Sequence, residues 1–239
     1  KPLGGKEHRR MHTKGFFTMF KHIKDLFSSK KKQEPESRFT DEQYDQHSES
    51  KKQGLEIVLG EMYHLVGHAI IPFQVGGTVD MYYFPNALDG TGFVTMELIE
   101  PDGSGSKPSK IGTYELIAFT KYKIGDESNK EKFEQIERRV CGTFTVLGNY
   151  SYEAQLNPLE TVEVPVHEKE PNRCVILDEY KKPDTNLLIG SKKHGLLLVI
   201  EVFRSEMEYA MKNGTASMLS KLKEKGYYPY SDLDREPLV

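Results

Sequence analysis

The stretch Gly195–Lys225, GLLLVIEVFRSEMEYAMKNGTASMLSKLKEK, decides the fold of this chain. Its apolar run Leu196–Phe203 shows almost no alternation, which predicts a central strand covered on both faces of a sheet. The S-x-x-E pattern in Ser205-Glu206-Met207-Glu208 predicts a capped helix start, and Asn213-Gly214 predicts where that helix ends. Thr215 can cap a second helix with an apolar face. This part of the chain therefore predicts a buried strand followed by two short helices.

Further elements are predicted upstream from the period of the apolar residues and from turn signals. They are a helix over Gly54–Val66, strands over Thr78–Phe84, Phe93–Ile99 and Thr113–Thr120, a helix from Asn129 to about Leu147, and a strand over Cys174–Leu177. The resulting order α-β-β-β-α-β-β-α-α predicts an α+β fold. Its helices are expected to flank one mixed, largely antiparallel sheet.

The first fifty residues differ in composition from the rest of the chain. Lys30–Ser50 is rich in Lys, Glu, Gln and Ser and nearly free of aliphatic residues, so it cannot bury enough apolar surface to offset its chain entropy. We therefore expect residues 1–52 to be a basic N-terminal segment and charged flexible linker, and residues 53–239 to be the folded domain. The sequence does not decide whether residues 1–18 are native or are an extension of the native sequence.

A short apolar stripe at helical spacing lies in the N-terminal segment, flanked by lysines, within Phe20–Lys32. One interpretation is a basic amphipathic anchor at an anionic membrane surface. The other is a fraying helix followed by a solvated linker. The stripe covers only about two turns, which favours the second interpretation.

Composition excludes several classes of protein. The chain has 33 basic and 36 acidic residues among 239, a net charge of −3, which argues against a nucleic-acid partner. No run approaches the roughly 20 apolar residues of a membrane-spanning helix. Its two cysteines, Cys141 and Cys174, form no CxxC pair, which argues against a disulfide scaffold and a structural zinc site. A reducing cytoplasm is the expected location.

Three residues near the first predicted helix invite a metal hypothesis. His64 and His68 would share one helix face, and Glu61 would add a carboxylate one turn earlier. The H-E-x-x-H arrangement is absent, no further ligand can be named, and Gly67 could end the helix before His68. We therefore expect structural histidines, with a metal site as the low-ranking alternative.

No other enzyme motif is found in the sequence. Acidic residues on predicted strands could pair for acid–base chemistry, but solvent exposure or ion pairing is their commoner fate; they are Asp80, Glu97, Glu115, Asp178 and Glu201. Neither cysteine has the neighbours that activate a nucleophile, and the glycine pairs do not form phosphate loops. We therefore expect a protein that is not an enzyme and needs no cofactor.

Aromatic residues are concentrated on the predicted strands. Tyrosine and other aromatic side chains are favoured at protein interfaces. Tyr82, Phe84 and Tyr114 are therefore candidates for contact with a protein partner.

The sequence resembles the suppressor-of-fused domain family. The similar pieces are the strand-turn-strand Val79–Glu97, the strand start Gly112–Leu116 with the helix after it, and above all Gly195–Lys225. The resemblance implies a non-enzymatic α+β domain. Animal members of the family sequester a transcription factor, and bacterial members are proposed to be immunity proteins that neutralise a toxin by binding it. We expect the chain to hold one such domain, without the second half of the animal protein, which favours the bacterial kind of role and a cognate toxin as partner.

Two other functions remain open from the sequence. One is a metal-assisted hydrolase built on Glu61, His64 and His68. The other is a peripheral membrane adaptor that uses Phe20–Lys32.

Overall fold

The structure, a computed structural model, describes residues 38–166 and 170–239. Within these residues it contains four helices and eight strands. The helices are α1 (Asp41–Leu59), α2 (Lys130–Ser151), α3 (Arg204–Asn213) and α4 (Thr215–Glu224). The strands are β1 (Val66–Gly67), β2 (Met81–Phe84), β3 (Thr91–Val94), β4 (Tyr114–Thr120), β5 (Thr161–Val164), β6 (Arg173–Glu179), β7 (Leu187–Ile189) and β8 (Lys192–Val202).

The strands form one mixed sheet in the order β1-β2-β3-β4-β8-β6-β5, and β7 pairs with the start of β8. Strand β4 runs parallel to β8, with Leu116 opposite Leu197. The other strand pairs are antiparallel. The predicted α+β fold with a largely antiparallel sheet is therefore confirmed.

Strand β8 lies in the interior of the sheet, as its continuous apolar run predicts. It pairs with β4 on one side and β6 on the other. Successive side chains point to opposite faces, so Leu198 and Ile200 join one core cluster while Leu197 and Val199 join another. Both clusters exclude water, which explains why the run shows no alternation between apolar and polar residues.

Helices cover both faces of the sheet. On one face α1, α3 and α4 contribute Leu55, Met207 and Leu222 to the core. On the other face α2 contributes Phe133 and Phe144. The architecture is a three-layer arrangement in which the central strands are buried and the edges β1 and β5 lie at the two sides.

The sequence prediction is wrong about where the first helix begins and ends. Helix α1 begins at Asp41, inside the predicted linker, and ends at Leu59, before the predicted end at Val66. Thr40 caps it, because its hydroxyl accepts the Gln43 amide while the Gln43 side chain accepts the Thr40 amide. The folded unit accordingly starts at Phe39, not at residue 53. The segment Phe20–Lys32 and residues 1–18 lie outside the described residues.

Smaller differences concern the ends of elements. Strand β3 ends at Val94, so the predicted strand Phe93–Ile99 is only partly formed. At the start of α3 the Glu206 carboxylate, not that of Glu208, accepts the amide of Phe203. The helix therefore begins one residue before Ser205, the predicted cap.

The chain after α4 packs back onto the sheet. Tyr230 forms a parallel bridge with Phe119, and the Asp232 carboxylate accepts the Thr120 hydroxyl at 2.6 Å. Within residues 38–166 and 170–239, none of the helices is long and apolar enough to cross a membrane.

Candidate functional site

The residues of the metal hypothesis are not brought together. Because α1 ends at Leu59, Glu61, His64 and His68 do not share a helix face. His68 Nδ1 lies 2.8 Å from an Asp80 carboxylate oxygen, and the His64 ring packs against the ring of Tyr63. In the described part of the chain, no three His, Cys, Asp or Glu side chains are grouped so that they could hold a metal ion.

The three aromatic candidates for partner contact differ in exposure. Phe84 and Tyr114 have no exposed surface. They fill opposite core clusters, so neither can touch a partner unless the core opens. Tyr82 is half-buried on β2, opposite Val66 of the edge strand β1. Of the three, only Tyr82 offers surface to a partner.

Two of the five strand carboxylates are buried and lie in ion pairs, and both cysteines are free thiols that are partly or fully buried. Glu115 and Glu201 are buried and paired with Lys51 and Arg139, respectively. Both therefore form the ion pairs expected of strand carboxylates, although neither of them is exposed to solvent. Burial raises the pKa of the thiols of Cys141 and Cys174, which disfavours the reactive thiolate.

The most distinctive surface is the segment of residues 65–75, which runs from β1 to a 3-10 turn at Phe73–Val75 and is here called the apolar loop. Four of its aliphatic side chains are exposed: Leu65 by 57%, Ile70 by 100%, Ile71 by 50% and Val75 by 69%. Single exposed aliphatic residues are common, but a cluster of them within one short loop typically marks an interaction surface.

Two side chains fasten this loop to the fold. Phe73 is buried against α2, where Gly148 leaves room for its ring. Asp80, just before β2, accepts the Ala69 amide at 2.8 Å and meets His68 with its other oxygen. Ile70 and Ile71 are thus presented between two anchored points, and a surface that is already ordered loses less entropy on binding.

A close backbone approach closes the loop. Gly77 donates its amide to the Pro72 carbonyl at 3.0 Å. A Cβ atom at Gly77 would lie 1.6 Å from the Ile71 carbonyl oxygen, so only glycine fits there. The conformation that exposes Ile71 therefore depends on Gly77.

An open cleft of about 310 Å³ lies beside the apolar loop. One wall is formed by Leu65 and Val66, and the other by Ile124 and the N-terminal part of α2, including Phe133. The Ile124 amide donates to the Thr91 hydroxyl at 2.9 Å, which holds this wall against β3. The cleft and the exposed loop together form one candidate binding region.

A tyrosine–carboxylate pair lies in the cleft. The Tyr83 hydroxyl donates a hydrogen bond to Glu137 Oε1. Burial, followed by this hydrogen bond, raises the pKa of Tyr83, so the phenol remains a neutral donor. Gly67 makes room for it, since a Cβ atom at that position would lie 2.6 Å from the Tyr83 hydroxyl oxygen.

Sequence reasoning did not identify this region. The only local signal is the adjacent pair Ile70-Ile71 before Pro72, outside any periodic pattern. Glu137 and Tyr83 are 54 residues apart in the chain, so their contact depends on the packing of α2 against β2.

Comparison with known proteins places the fold. No model of a protein family matches the chain, and no curated protein matches it in sequence. Among solved structures, the one described as "the Sufu-Fu complex crystal structure" is similar, with a TM-score of 0.51 and 15% sequence identity. The match covers 79% of this chain and 88% of that chain. The chain therefore has a suppressor-of-fused-like fold, as the sequence resemblance implies.

Proposed function

We propose that this chain is a non-enzymatic domain that works by binding another protein. The observation that carries the proposal is the apolar loop, in which Ile70 and Ile71 stand exposed on a hydrogen-bonded frame. Fully burying an exposed isoleucine side chain contributes about 1.5–3 kcal/mol, and Ile71, which is 50% exposed, would contribute about half as much as Ile70. A partner surface that covers both side chains would thus gain enough free energy to make this loop a centre of binding.

The position of the loop at the edge of the sheet supports the proposal. Strand β1 is the terminal strand and has only two residues, Val66 and Gly67. Short edge strands protect a protein from unwanted pairing. Because β1 is too short to pair with a strand of another chain, a partner at this edge would bind the exposed aliphatic side chains instead.

The finer proposal is that the partner is a toxin and that the chain is an immunity protein. It rests on the family resemblance and on the similar solved structure, which is that of a protein–protein complex. An immunity protein needs no catalytic group, because it acts by covering the active surface of the toxin. We expect this binding to take place in the cytoplasm, where Cys141 and Cys174 stay reduced.

Co-expression tests the proposal. The full chain is produced together with the product of the adjacent gene, and growth rescue and a stable complex are measured. Ile70→Ser combined with Ile71→Ser should weaken the complex at least tenfold. Leu188→Ser is the matched control, because Leu188 is 46% exposed on β7, away from the apolar loop. The proposal fails if the loop variant rescues growth and binds as well as the control.

A further inference from the structure

The cleft beside the apolar loop combines apolar walls with carboxylates. Leu65, Ile124 and Phe133 supply the apolar surface, and Glu134 and Glu137 project from α2. A cleft with apolar walls and a carboxylate suits a long basic side chain, because the methylene groups of that side chain need apolar contact and its charged end needs a negative charge.

The lysines that border the cleft already have partners. Lys123 Nζ lies 3.1 Å from an Asp89 oxygen, and Lys130 Nζ lies 3.6 Å from a Glu127 oxygen. Glu134 is 4.0 Å from Arg138, at the limit of an ion pair. Glu137 has no Lys, Arg or His within ion-pair distance among residues 38–166 and 170–239.

Glu137 is bonded in a way that leaves part of its carboxylate open. The Tyr83 hydroxyl occupies Oε1, and within the described residues Oε2 accepts no hydrogen bond. Because Tyr83 stays neutral, it orients the carboxylate without cancelling its charge. An ammonium or guanidinium group can therefore form a charge-assisted hydrogen bond with Oε2.

We infer that this cleft receives a Lys or Arg side chain of the protein partner, next to an apolar patch of that partner that covers Ile70 and Ile71. This inference rests on the proposed function and names the chemistry of the partner. An apolar side chain in the cleft would remove water from Glu137 without replacing the hydrogen bonds to that water, which costs free energy. An acidic side chain would be repelled by the same carboxylate.

Peptide selection on the full chain tests the inference. A library of random twelve-residue peptides displayed on phage is selected against the immobilised protein and against the Glu137→Gln variant. Glutamine keeps the acceptor for the Tyr83 hydroxyl and removes the charge. Glu131→Gln is the matched control, since Glu131 is an exposed carboxylate on the same helix outside the cleft.

We expect the peptides selected by the unmodified protein and by the Glu131→Gln variant to share a Lys or Arg next to aliphatic residues. A synthetic peptide of that sequence should bind about tenfold more weakly when the basic residue is replaced by its neutral isostere citrulline or norleucine. The same loss should appear with the original peptide and the Glu137→Gln variant.

Peptides without a common basic residue, or equal binding to Glu137→Gln and the unmodified protein, would overturn the inference. Failure to select any peptide overturns it as well. The proposed function is tested separately. If the complex needs Ile70 and Ile71 but not Glu137, the protein-binding function stands, and the inference that a Lys or Arg side chain of the partner enters the cleft is wrong.

Discussion

The guanidinium of Arg235 donates two hydrogen bonds to the carboxylate of Glu206, Nη1–Oε1 at 2.6 Å and Nη2–Oε2 at 2.8 Å. The Glu206 side chain is fully buried and the Arg235 side chain is 7% exposed. The same carboxylate also accepts the amides of Phe203 and Leu238. One buried carboxylate thus joins the start of α3 to the chain segment that follows α4.

Removing the arginine should destabilise the protein strongly. Arg235→Ala leaves the buried Glu206 charge without its partner, and such changes typically cost about 3–5 kcal/mol. We expect a loss of this size in the free energy of unfolding measured with urea. Glu236→Ala, an exposed neighbour, should change it by less than about 0.5 kcal/mol. The double variant Glu206→Gln with Arg235→Met should recover part of the loss, and a loss below about 1 kcal/mol for Arg235→Ala would contradict the prediction.

A second buried pair fastens α1 to the sheet. Lys51 Nζ contacts Glu115 at 2.9 Å and donates to the Met96 and Ile99 carbonyl oxygens. Glu115 in turn accepts the amide of Leu98, among other donors. This network holds the chain between β3 and β4 against the helix.

Lys51→Met keeps most of the side-chain volume and removes the charge. Glu115 then stays buried without a cation, so the free energy of unfolding should fall by about 3–5 kcal/mol. Lys52→Met on the same helix is the control, since Lys52 is partly exposed. Equal stability of the two variants in urea denaturation would show that the buried pair does not hold α1 in place.

The apolar run of β8 shows where sequence reasoning succeeds, and the buried pair of Lys51 and Glu115 shows where it stops. The run Leu196–Phe203 predicts its own burial, because a strand that is apolar on both faces has only one stable position, inside a sheet. Lys51 gives the opposite signal, since a lysine in a charged stretch is normally solvated. Its partner Glu115 lies 64 residues away, so no local pattern reports that the two meet.

The candidate site has the same limitation. Phe84, Tyr114 and Tyr82 are all aromatic residues on strands, yet two are buried and one is half-exposed. Side-chain type does not decide between core and interface for such residues. Ile70 and Ile71 have the composition of a core segment. Asp80 and Phe73 anchor the loop in a conformation that leaves both isoleucines exposed.

The packing of α1 against β7 predicts an effect of unusual sign. Replacing glycine by alanine within a helix normally stabilises it by up to about 1 kcal/mol. At Gly54, however, a Cβ atom would lie 2.2 Å from the Leu188 carbonyl oxygen. Gly54→Ala should therefore lower the melting temperature, because α1 must move away from β7.

Gly142→Ala on α2 is the matched control for this prediction. The nearest atom to a Cβ there is Arg173 Nη1 at 3.3 Å, the end of a flexible side chain. We expect Gly142→Ala to leave the melting temperature unchanged or to raise it. A rise of similar size for Gly54→Ala would mean that α1 does not pack on β7 as described.

Glu97 is a carboxylate near Asp80, which anchors the apolar loop, and near the buried Glu115. One of its oxygens accepts the Asp80 amide at 2.9 Å, and the other accepts the Met96 amide at 3.0 Å. Burial raises the pKa of Glu97 from 4.5 to about 7, and the nearby carboxylate of Glu115 adds to the rise. The half-buried Tyr82 also faces this group, and its own pKa is raised by burial and by the Glu97 charge, so it stays neutral.

The raised pKa predicts a specific dependence of stability on pH. Between about pH 4.5 and pH 7 the folded protein keeps a proton on Glu97 that the unfolded chain has lost, so the contribution of Glu97 to stability falls as the pH rises through this window. Glu97→Gln abolishes the titration. The free energy of unfolding of the variant should therefore increase relative to the unmodified protein by at most about 3 kcal/mol across the window and stay level above it. Urea denaturation at a series of pH values measures this difference, with the exposed Glu153→Gln as control. A difference that is the same at pH 4.5 and pH 8 would show that Glu97 titrates normally and that its burial carries no free-energy cost.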